Sequence, residues 1–439
     1  MSEPLKVIIV GAGFRAMRYS EYALANPDKM QIVGVAEVSE LRRKAAQKKF
    51  NIPDEMCFES AEELAKHDKL ADAILNGTQD TDHVPTSIPL LKKGYDMLLE
   101  KPFAVNEEEM MELAKVAEEA GVKVMICHVL RYAPFYRRIK EIIASGEIGD
   151  VYNIQMTEHI AYHHMISCYV RGPWPSEEAC GSSVLLAKSC HDVDLMMWLM
   201  GDVKPVSVYS NGSCFKFVKE KKPANAGTRC VVDCPIEKDC PYSAKRNYVS
   251  KEHDRWAFYV WAENEKDGAN IVDGMNFTDE EKIENLKTSS FGRCVWDIDR
   301  GSSIENQTVV YNFENGASGT FNLVGGTPGA QRYIHVIGTK GEIRGVFDHQ
   351  TYQIKKPMPE SYRGHVLEDV DLKITGDMTG ATGGHGGGDA RLVADFVEYV
   401  KGGEPSISCT ELKQSMVGHL AVFRADQSRR ENKILPIEI

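Results

Sequence analysis

The sequence predicts an α/β fold in two parts: a doubly wound parallel sheet over residues 1–128, then an α/β domain over 129–439 built on a large, mostly antiparallel open sheet. Three observations predict it. The apolar run Val7-Ile8-Ile9-Val10 passes straight into Gly11-Ala12-Gly13-Phe14-Arg15-Ala16 and a helix-compatible stretch. Strand and helix patterns then alternate as far as His128, as a parallel sheet covered on both faces requires. Beyond Arg131 the texture changes to strand-like alternation broken by the turn pairs Asn315-Gly316 and Lys340-Gly341.

In order, strands are expected at 7–10, 31–36, 71–76, 95–99 and 122–127, with helices near 15–26, 39–49, 60–66, 84–93 and 106–119. In the last of these Asn106 suits a helix cap, and Glu107, Glu108 and Glu109 put negative charge at the positive end of the helix dipole. The second part opens with a helix near 134–144, the turn Gly146-Glu147-Ile148-Gly149 and a strand from Val151. Further strands begin near Thr308, Gly319 and Tyr333. The interval 215–290, rich in Lys, Asp, Glu and Asn, reads as an insertion with its own local structure. The glycine run 383–388 reads as a mobile or tightly turned loop, and helices near 389–401 and 410–425 close the chain.

A chain of 439 residues is long enough for two cores, since single cores stop growing near roughly 250–300 residues. With 64 acidic against 52 basic residues the net charge is −12, which repels phosphate backbones and anionic lipid; nucleic acid and membrane are not expected partners. No apolar run approaches the ~20 residues that span a bilayer, and Met1-Ser2-Glu3-Pro4-Leu5-Lys6 lacks a signal-peptide pattern, so a cytoplasmic location is expected. Eleven cysteines, odd in number and mostly scattered, do not read as a disulfide framework.

The glycine loop has a specific physical use. Gly11 suits a tight turn, Gly13 lets the backbone approach a pyrophosphate, and Ala16 permits close helix packing, so amides at the helix start face an anion. The second strand, Ile32-Val33-Gly34-Val35-Ala36, ends in Glu37, where a carboxylate takes the adenosine ribose hydroxyls and repels a 2′-phosphate. NAD is therefore expected over NADP. Either Arg42 or Arg43, if it reached the ribose, would admit NADP.

Two further motifs stand at strand and helix ends: Glu100-Lys101-Pro102 after Met97-Leu98-Leu99, and Cys190-His191-Asp192-Val193-Asp194 at the start of an apolar helix. With the glycine loop, they resemble the glucose–fructose oxidoreductase, inositol dehydrogenase and rhizopine catabolism (Gfo/Idh/MocA) family over nearly the whole chain. Thr78-Gln79-Asp80-Thr81-Asp82-His83 is similar to that family's loop after the third strand, and Gly338-Thr339-Lys340-Gly341-Glu342 to its sheet hairpin. The resemblance implies an N-terminal Rossmann domain joined to an open-sheet α/β domain. It also implies a nicotinamide cofactor, held by Gly11, Gly13, Phe14, Arg15, Glu37, Arg42, Thr78, His83, Glu100 and Lys101, and oxidation or reduction at a carbinol carbon of a sugar or polyol.

Hydride transfer from a secondary alcohol needs a base for the hydroxyl proton and a cation for the developing alkoxide. His191 and Lys101 fit those tasks. Pro102 stiffens the backbone at Lys101, and Glu100 is placed to orient the lysine by charge pairing; the plain alternative is a solvated Glu–Lys pair. Imidazole titrates near operating pH, although a lone helix histidine is more often structural. Asp192 would orient a ring or bind substrate, and Asp194 would cap or pair. One departure stands out. Many relatives carry an aspartate four residues before this histidine, where the present chain has Ala187; the adjacent Lys188 is expected to bind substrate hydroxyls or an anion.

The run Glu158-His159-Ile160-Ala161-Tyr162-His163-His164, continuing to Tyr169, Arg171 and Trp174, offers His159, Tyr162, Arg171 and Trp174 as a carbohydrate platform, the alternative being an aromatic core cluster. His385 in the glycine run is a further pocket candidate. No metal is expected. The three histidines match no zinc pattern. The cluster Cys230, Cys234 and Cys240, with Cys214, His253 or Cys294 as a fourth ligand, lacks a tight C-x2-C pair and reads first as packed thiols. The leading expectation is a dehydrogenase acting on a carbohydrate. A glycosidase that retains NAD through transient oxidation, elimination and re-reduction, and a nonenzymatic sensor on the same fold, stand as alternatives. An open sheet also implies a homodimer or homotetramer that covers it.

Overall fold

The computed structural model describes residues 3–250, 256–262, 277–372 and 387–438. A parallel strand covered on both faces reads as a continuous apolar run, and β1 (Leu5–Val10) is such a strand, with Val7, Ile8, Ile9 and Val10 all essentially inaccessible. It is followed by α1 (Phe14–Ala25), β2 (Met30–Ala36), α2 (Glu40–Phe50), β3 (Cys57–Phe58), α3 (Ala61–Leu64), β4 (Ala73–Asn76), α4 (His83–Leu91), β5 (Asp96–Leu99), α5 (Glu107–Ala120) and β6 (Val124–Ile126). The six strands form one parallel sheet in the order β3-β2-β1-β4-β5-β6. The chain reverses direction across the sheet between β1 and β4, which opens a crevice at their C-terminal ends, where Gly11 and Gly77 lie. The Asn106 cap is present: its side chain accepts from the Glu109 N–H at 2.8 Å.

The second part begins with α6 (Pro134–Ala144) and β7 (Val151–Ala161), then α7 (Tyr162–His164), which continues as a π-helical turn over Met165–Val170. Next come α8 (Glu177–Cys180), α9 (Val184–Ala187), α10 (Cys190–Met200) and β8 (Pro205–Ser213). The predicted insertion contributes α11 (Ala244–Tyr248), α12 (Ala257–Ala262) and α13 (Asp279–Leu286). Strands β9 (Asn306–Phe313), β10 (Ser318–Thr327), β11 (Gln331–Gly338), β12 (Glu342–Val346), β13 (Thr351–Pro357) and β14 (His365–Asp371) follow. The last elements are α14 (Gly388–Val400), α15 (Leu412–Glu431) and β15 (Leu435–Pro436). The nine strands β7–β15 form one sheet in the order β14-β13-β12-β11-β7-β10-β9-β8-β15, antiparallel except for the β7/β10 pair. The mostly antiparallel sheet is as the sequence predicts, and β8 and β12–β14 extend it beyond the strands the pattern marked.

One face of this sheet lies under α10 and α15; α10 is buried at every residue. Thr157, Tyr333, His335, Arg344 and Gln353 line a broad, shallow hollow on the opposite face. No helix among the described residues is long and apolar enough to cross a membrane.

The two parts are not divided cleanly at residue 128. Helix α14, far along the chain, packs Leu392, Val393, Phe396 and Val397 into one core with Ala12, Ala16, Met17 and Tyr19 of the first part. A buried ion pair ties the segment just after β6 to α10. The Arg131 guanidinium, 2 % exposed, donates from Nε and Nη2 to the two Asp194 carboxylate oxygens at 2.7 and 2.6 Å, and from Nη1 to the Cys409 carbonyl at 3.1 Å. Asp194 is thus a structural partner, as its pairing role anticipates. Asp194→Ala leaves an uncompensated buried guanidinium and is expected to cost about 3–5 kcal/mol, whereas the double variant Arg131→Met/Asp194→Leu recovers much of that loss; urea denaturation midpoints check both.

Candidate active site

The crevice at the ends of β1, β4 and β5 is shaped for a dinucleotide. Gly11 has φ +76°, and a Cβ there would come within 2.8 Å of the Thr78 amide nitrogen, so the turn admits only glycine. Gly13 sits at the N-cap of α1 with extended backbone, and Phe14 begins the helix. Ala16 packs so closely on Gly77 that a Cβ on Gly77 would meet it at 2.7 Å. At the end of β2 the Glu37 carboxylate accepts from the amides of Ala12 (2.6 Å) and Ser39 (2.8 Å), tying the glycine loop to the position of the adenosine ribose. These residues fit NAD: backbone donors for a pyrophosphate, and a carboxylate with lone pairs left for a ribose hydroxyl.

Arg15 is committed to two ion pairs. It pairs with Glu100 at 3.2 Å and with Asp389, at the start of α14, at 2.6 Å. Glu100 also accepts from the Tyr19 hydroxyl at 2.9 Å and from the Lys101 backbone N–H at 2.7 Å. Charge pairing of Glu100 with the Lys101 ammonium is therefore not what orients the lysine. Lys101 Nζ instead donates to the Ala187 carbonyl at 2.8 Å, crossing to the segment that carries His191. At the position where a carboxylate was missed in the sequence, a backbone oxygen takes the lysine. The Lys101–Pro102 peptide is cis, and its Pro102 carbonyl meets His83 Nδ1 at 2.6 Å while Thr78 O meets Nε2 at 3.0 Å. His83 and Thr78 thus brace the loops around Lys101.

Behind the lysine lies a buried charge cluster. Glu158 of β7, 2 % exposed, pairs with Lys188 at 2.9 Å and with Arg332, and accepts from the Ser189 hydroxyl at 2.8 Å. Arg332 also pairs with Asp192 at 3.0 Å. Burial alone would raise the Glu158 carboxyl, but Arg332 and Lys188 outweigh it and hold it well below the carboxylate range. Burial pushes Asp192 up to about 7 against the pull of Arg332. Burial also lowers Lys188, with Glu158 opposing. His191, in the first turn of α10 and 5 % exposed, lies edge-on to His128 with ring centroids 5.7 Å apart. Burial, then Arg131 and Lys101, keep His128 far below the ordinary histidine value, so it faces His191 as a neutral ring.

Comparison with known proteins agrees with this layout. Residues 5–128 match the model of the Gfo/Idh/MocA oxidoreductase family's NAD-binding Rossmann fold, and residues 140–431 match that of its C-terminal α/β domain. The chain belongs to the Gfo/Idh/MocA oxidoreductase family. It is 25% identical to the Bacillus subtilis protein YteT over 83% of this chain and 82% of that one. It is 24% identical to an inositol 2-dehydrogenase of Corynebacterium glutamicum over 52% of this chain, matching 62% of that enzyme's length. The fold is that of the WlbA dehydrogenase from Bordetella pertussis, solved with NADH and UDP-GlcNAcA, with a TM-score of 0.66 at 15% identity, covering 100% of this chain and 99% of that one.

Within this Gfo/Idh/MocA frame the remaining predicted residues separate. Lys101, Lys188, His191 and Asp192 gather where the two parts meet. Strand alternation aims Glu158, not His159, at α10; the His159 ring packs edge-on against Tyr333 toward the other face, 5.5 Å between centroids. Trp174 does bridge to the first part, donating from Nε1 to Asp80 at 3.0 Å, while Tyr162 packs against Tyr242 of the insertion. Arg171 is turned into the insertion, away from the lysine. The Arg42 backbone N–H donates to the Ser39 cap at 3.4 Å, and it is Arg43 that donates to the Glu37 carbonyl. His385 lies outside the described residues. No group of three or more His, Cys, Asp or Glu among the described residues is closed around a metal position. Sequence reasoning missed Arg332 and the role of Glu158; the two face each other in the β7/β11 register, which only strand pairing reveals.

The folded chain holds a proton on Asp192 between the ordinary carboxyl value of 3.8 and about 7, whereas the unfolded chain releases it. Stability is thus expected to fall as pH rises across that window. Asp192→Asn should flatten the slope, read as the difference in thermal midpoint between variant and parent across the window.

Proposed function

We propose that this protein is an NAD-dependent dehydrogenase that oxidises a secondary hydroxyl of a sugar, glycoside or polyol. The observation that carries the reading is the Lys101 Nζ bond to the Ala187 carbonyl, which sets the lysine of the cofactor domain against the segment leading into His191. When bound, NAD supplies the hydride acceptor. Lys101 spends one of its three N–H donors on Ala187 and keeps two for the substrate oxygen, where its charge stabilises a developing alkoxide. His191 takes the hydroxyl proton and returns it to solvent. The Glu158–Lys188–Asp192–Arg332 cluster holds two acids and two bases in mutual contact, so Lys188 would act on substrate as a charge-paired hydrogen-bond donor rather than as a free anion receptor. Glu37 favours NAD over NADP. The dehydrogenase names of the relatives support a polyol or sugar substrate, as does the sugar nucleotide in the WlbA complex.

A second reading, a glycosidase that retains NAD, is favoured by one contact: Asp389, at the start of α14, is bound to Arg15 of the cofactor loop. Purified protein incubated with NAD and a panel of free sugars, polyols and aryl glycosides separates the readings. Stoichiometric NADH supports the dehydrogenase, aglycone release without net NADH the glycosidase, and NAD binding without either a sensor. Lys101→Ala and His191→Ala should each lower turnover by about 10²–10⁴-fold with folding intact by circular dichroism; full activity in either would remove that residue from the mechanism.

We also infer that a second copy of the chain covers the open face of the nine-stranded sheet, where Tyr333 is 39 % exposed. Light scattering should give at least a dimer, and Tyr333→Asp should shift it toward monomer.

A further inference from the structure

Three arginines of the described residues are almost fully buried: Arg131, Arg300 and Arg171, at 2, 4 and 3 % exposure. Arg131 has Asp194 and Arg300 has Glu305 as carboxylate partners. Arg171 has none among the described residues. Its donors go to the carbonyls of Arg293 (2.8 Å) and Tyr242 (2.9 Å), the Tyr248 hydroxyl (3.3 Å) and the Cys230 sulfur (3.4 Å). A guanidinium does not give up its proton, so this is a buried cation with no carboxylate in ion-pair contact, Glu237 lining the same cavity without bonding to it.

What surrounds it is sulfur. Cys230, Cys234, Cys240 and Cys294 line one small cavity together with Arg171 and Tyr242. All four are free thiols, and Cys294 is 6 % exposed. The backbone brings them together from two distant segments. An antiparallel bridge pairs Arg229 with Arg293, with the Cys230 N–H donating to Gly292 O at 3.0 Å and the Cys294 N–H donating to Thr228 O at 2.8 Å. A compact turn, closed by the Cys240 N–H donating to Ile236 O at 3.1 Å, returns Cys240 toward Cys234. The fold therefore supplies the fourth thiol that the spacing Cys230, Cys234, Cys240 left undecided.

We propose that Cys230, Cys234, Cys240 and Cys294 bind one zinc ion as a closed structural site, with Arg171 as its counter-charge. Binding exchanges four S–H protons for four Zn–S bonds and releases those protons to solvent; one Zn²⁺ with four thiolates carries a net charge of −2, which the buried guanidinium partly offsets. In the structure as it stands the four sulfurs are not arranged to hold a metal ion, so binding requires them to close on it. The site fastens the insertion to the π-helical turn that runs up to Arg171, where Tyr242 of the insertion packs on Tyr162.

The test needs no catalytic assay. The full chain, purified without chelator from zinc-supplemented cells, should carry one zinc per chain by mass spectrometry of the metal. A mercurial should release that zinc into a colorimetric indicator, and four thiols should become reactive to a disulfide reagent in step with the release. Cys234→Ser/Cys240→Ser should lose the metal. Arg171→Met should bind zinc more weakly in competition with a chelator, because four thiolates then lack their buried cation. Parent protein that holds no zinc and takes none up when reduced overturns the proposal. So does a disulfide within the cluster of freshly isolated protein, or iron with acid-labile sulfide in place of zinc.

Discussion

The bidentate contact between Arg131 and Asp194 fixes how the two sheets meet. Arg131 stands in the turn just after β6, the last strand of the first sheet, and Asp194 lies one turn along the helix that carries His191. Two parallel N–H···O bonds between planar groups constrain both distance and orientation, unlike a single point contact. Everything the proposed chemistry requires, from the lysine at the end of β5 to the histidine in α10, inherits its relative position from that joint. The Lys101 bond to Ala187 can be short because the joint has already set the two segments side by side.

A second constraint is electrical. Four charged side chains, Glu158, Lys188, Asp192 and Arg332, are packed below the site with little water, and each is tolerable only because of the others. The result is a buried cluster whose opposite charges largely cancel. The usual carboxylate is absent at Ala187, yet two carboxylates from other elements stand close by, one firmly ionised and one near its titration point at neutral pH.

The parts legible in the sequence are those set by local chemistry. The glycine loop was readable because positive φ and close backbone approach exclude other residues, and Glu37 because it ends an apolar strand. Lys101 and His191 were marked by motifs at strand and helix ends. What stayed hidden depends on register and long-range packing. Arg332 meets Glu158 only because β11 pairs with β7, and the one-residue alternation that sends Glu158 inward sends His159 to the other face. Arg171 sits among aromatic residues in the sequence and looked like a sugar contact, but the insertion that wraps it comes from far along the chain. The attachment of α14 to the first sheet leaves no local trace at all.

That attachment bears on how the molecule is made. Residues 1–128 contain every strand of the dinucleotide-binding sheet, yet the surface of α1 around Ala16, Met17 and Tyr19 is covered by side chains from residues 392–397. On the ribosome this apolar patch waits uncovered while nearly the whole second part is synthesised. An isolated N-terminal fragment would keep it exposed indefinitely. The order of the elements along the chain thus leaves the first domain unfinished until α14 is made, and gives the cell's folding machinery a defined surface to shield until then.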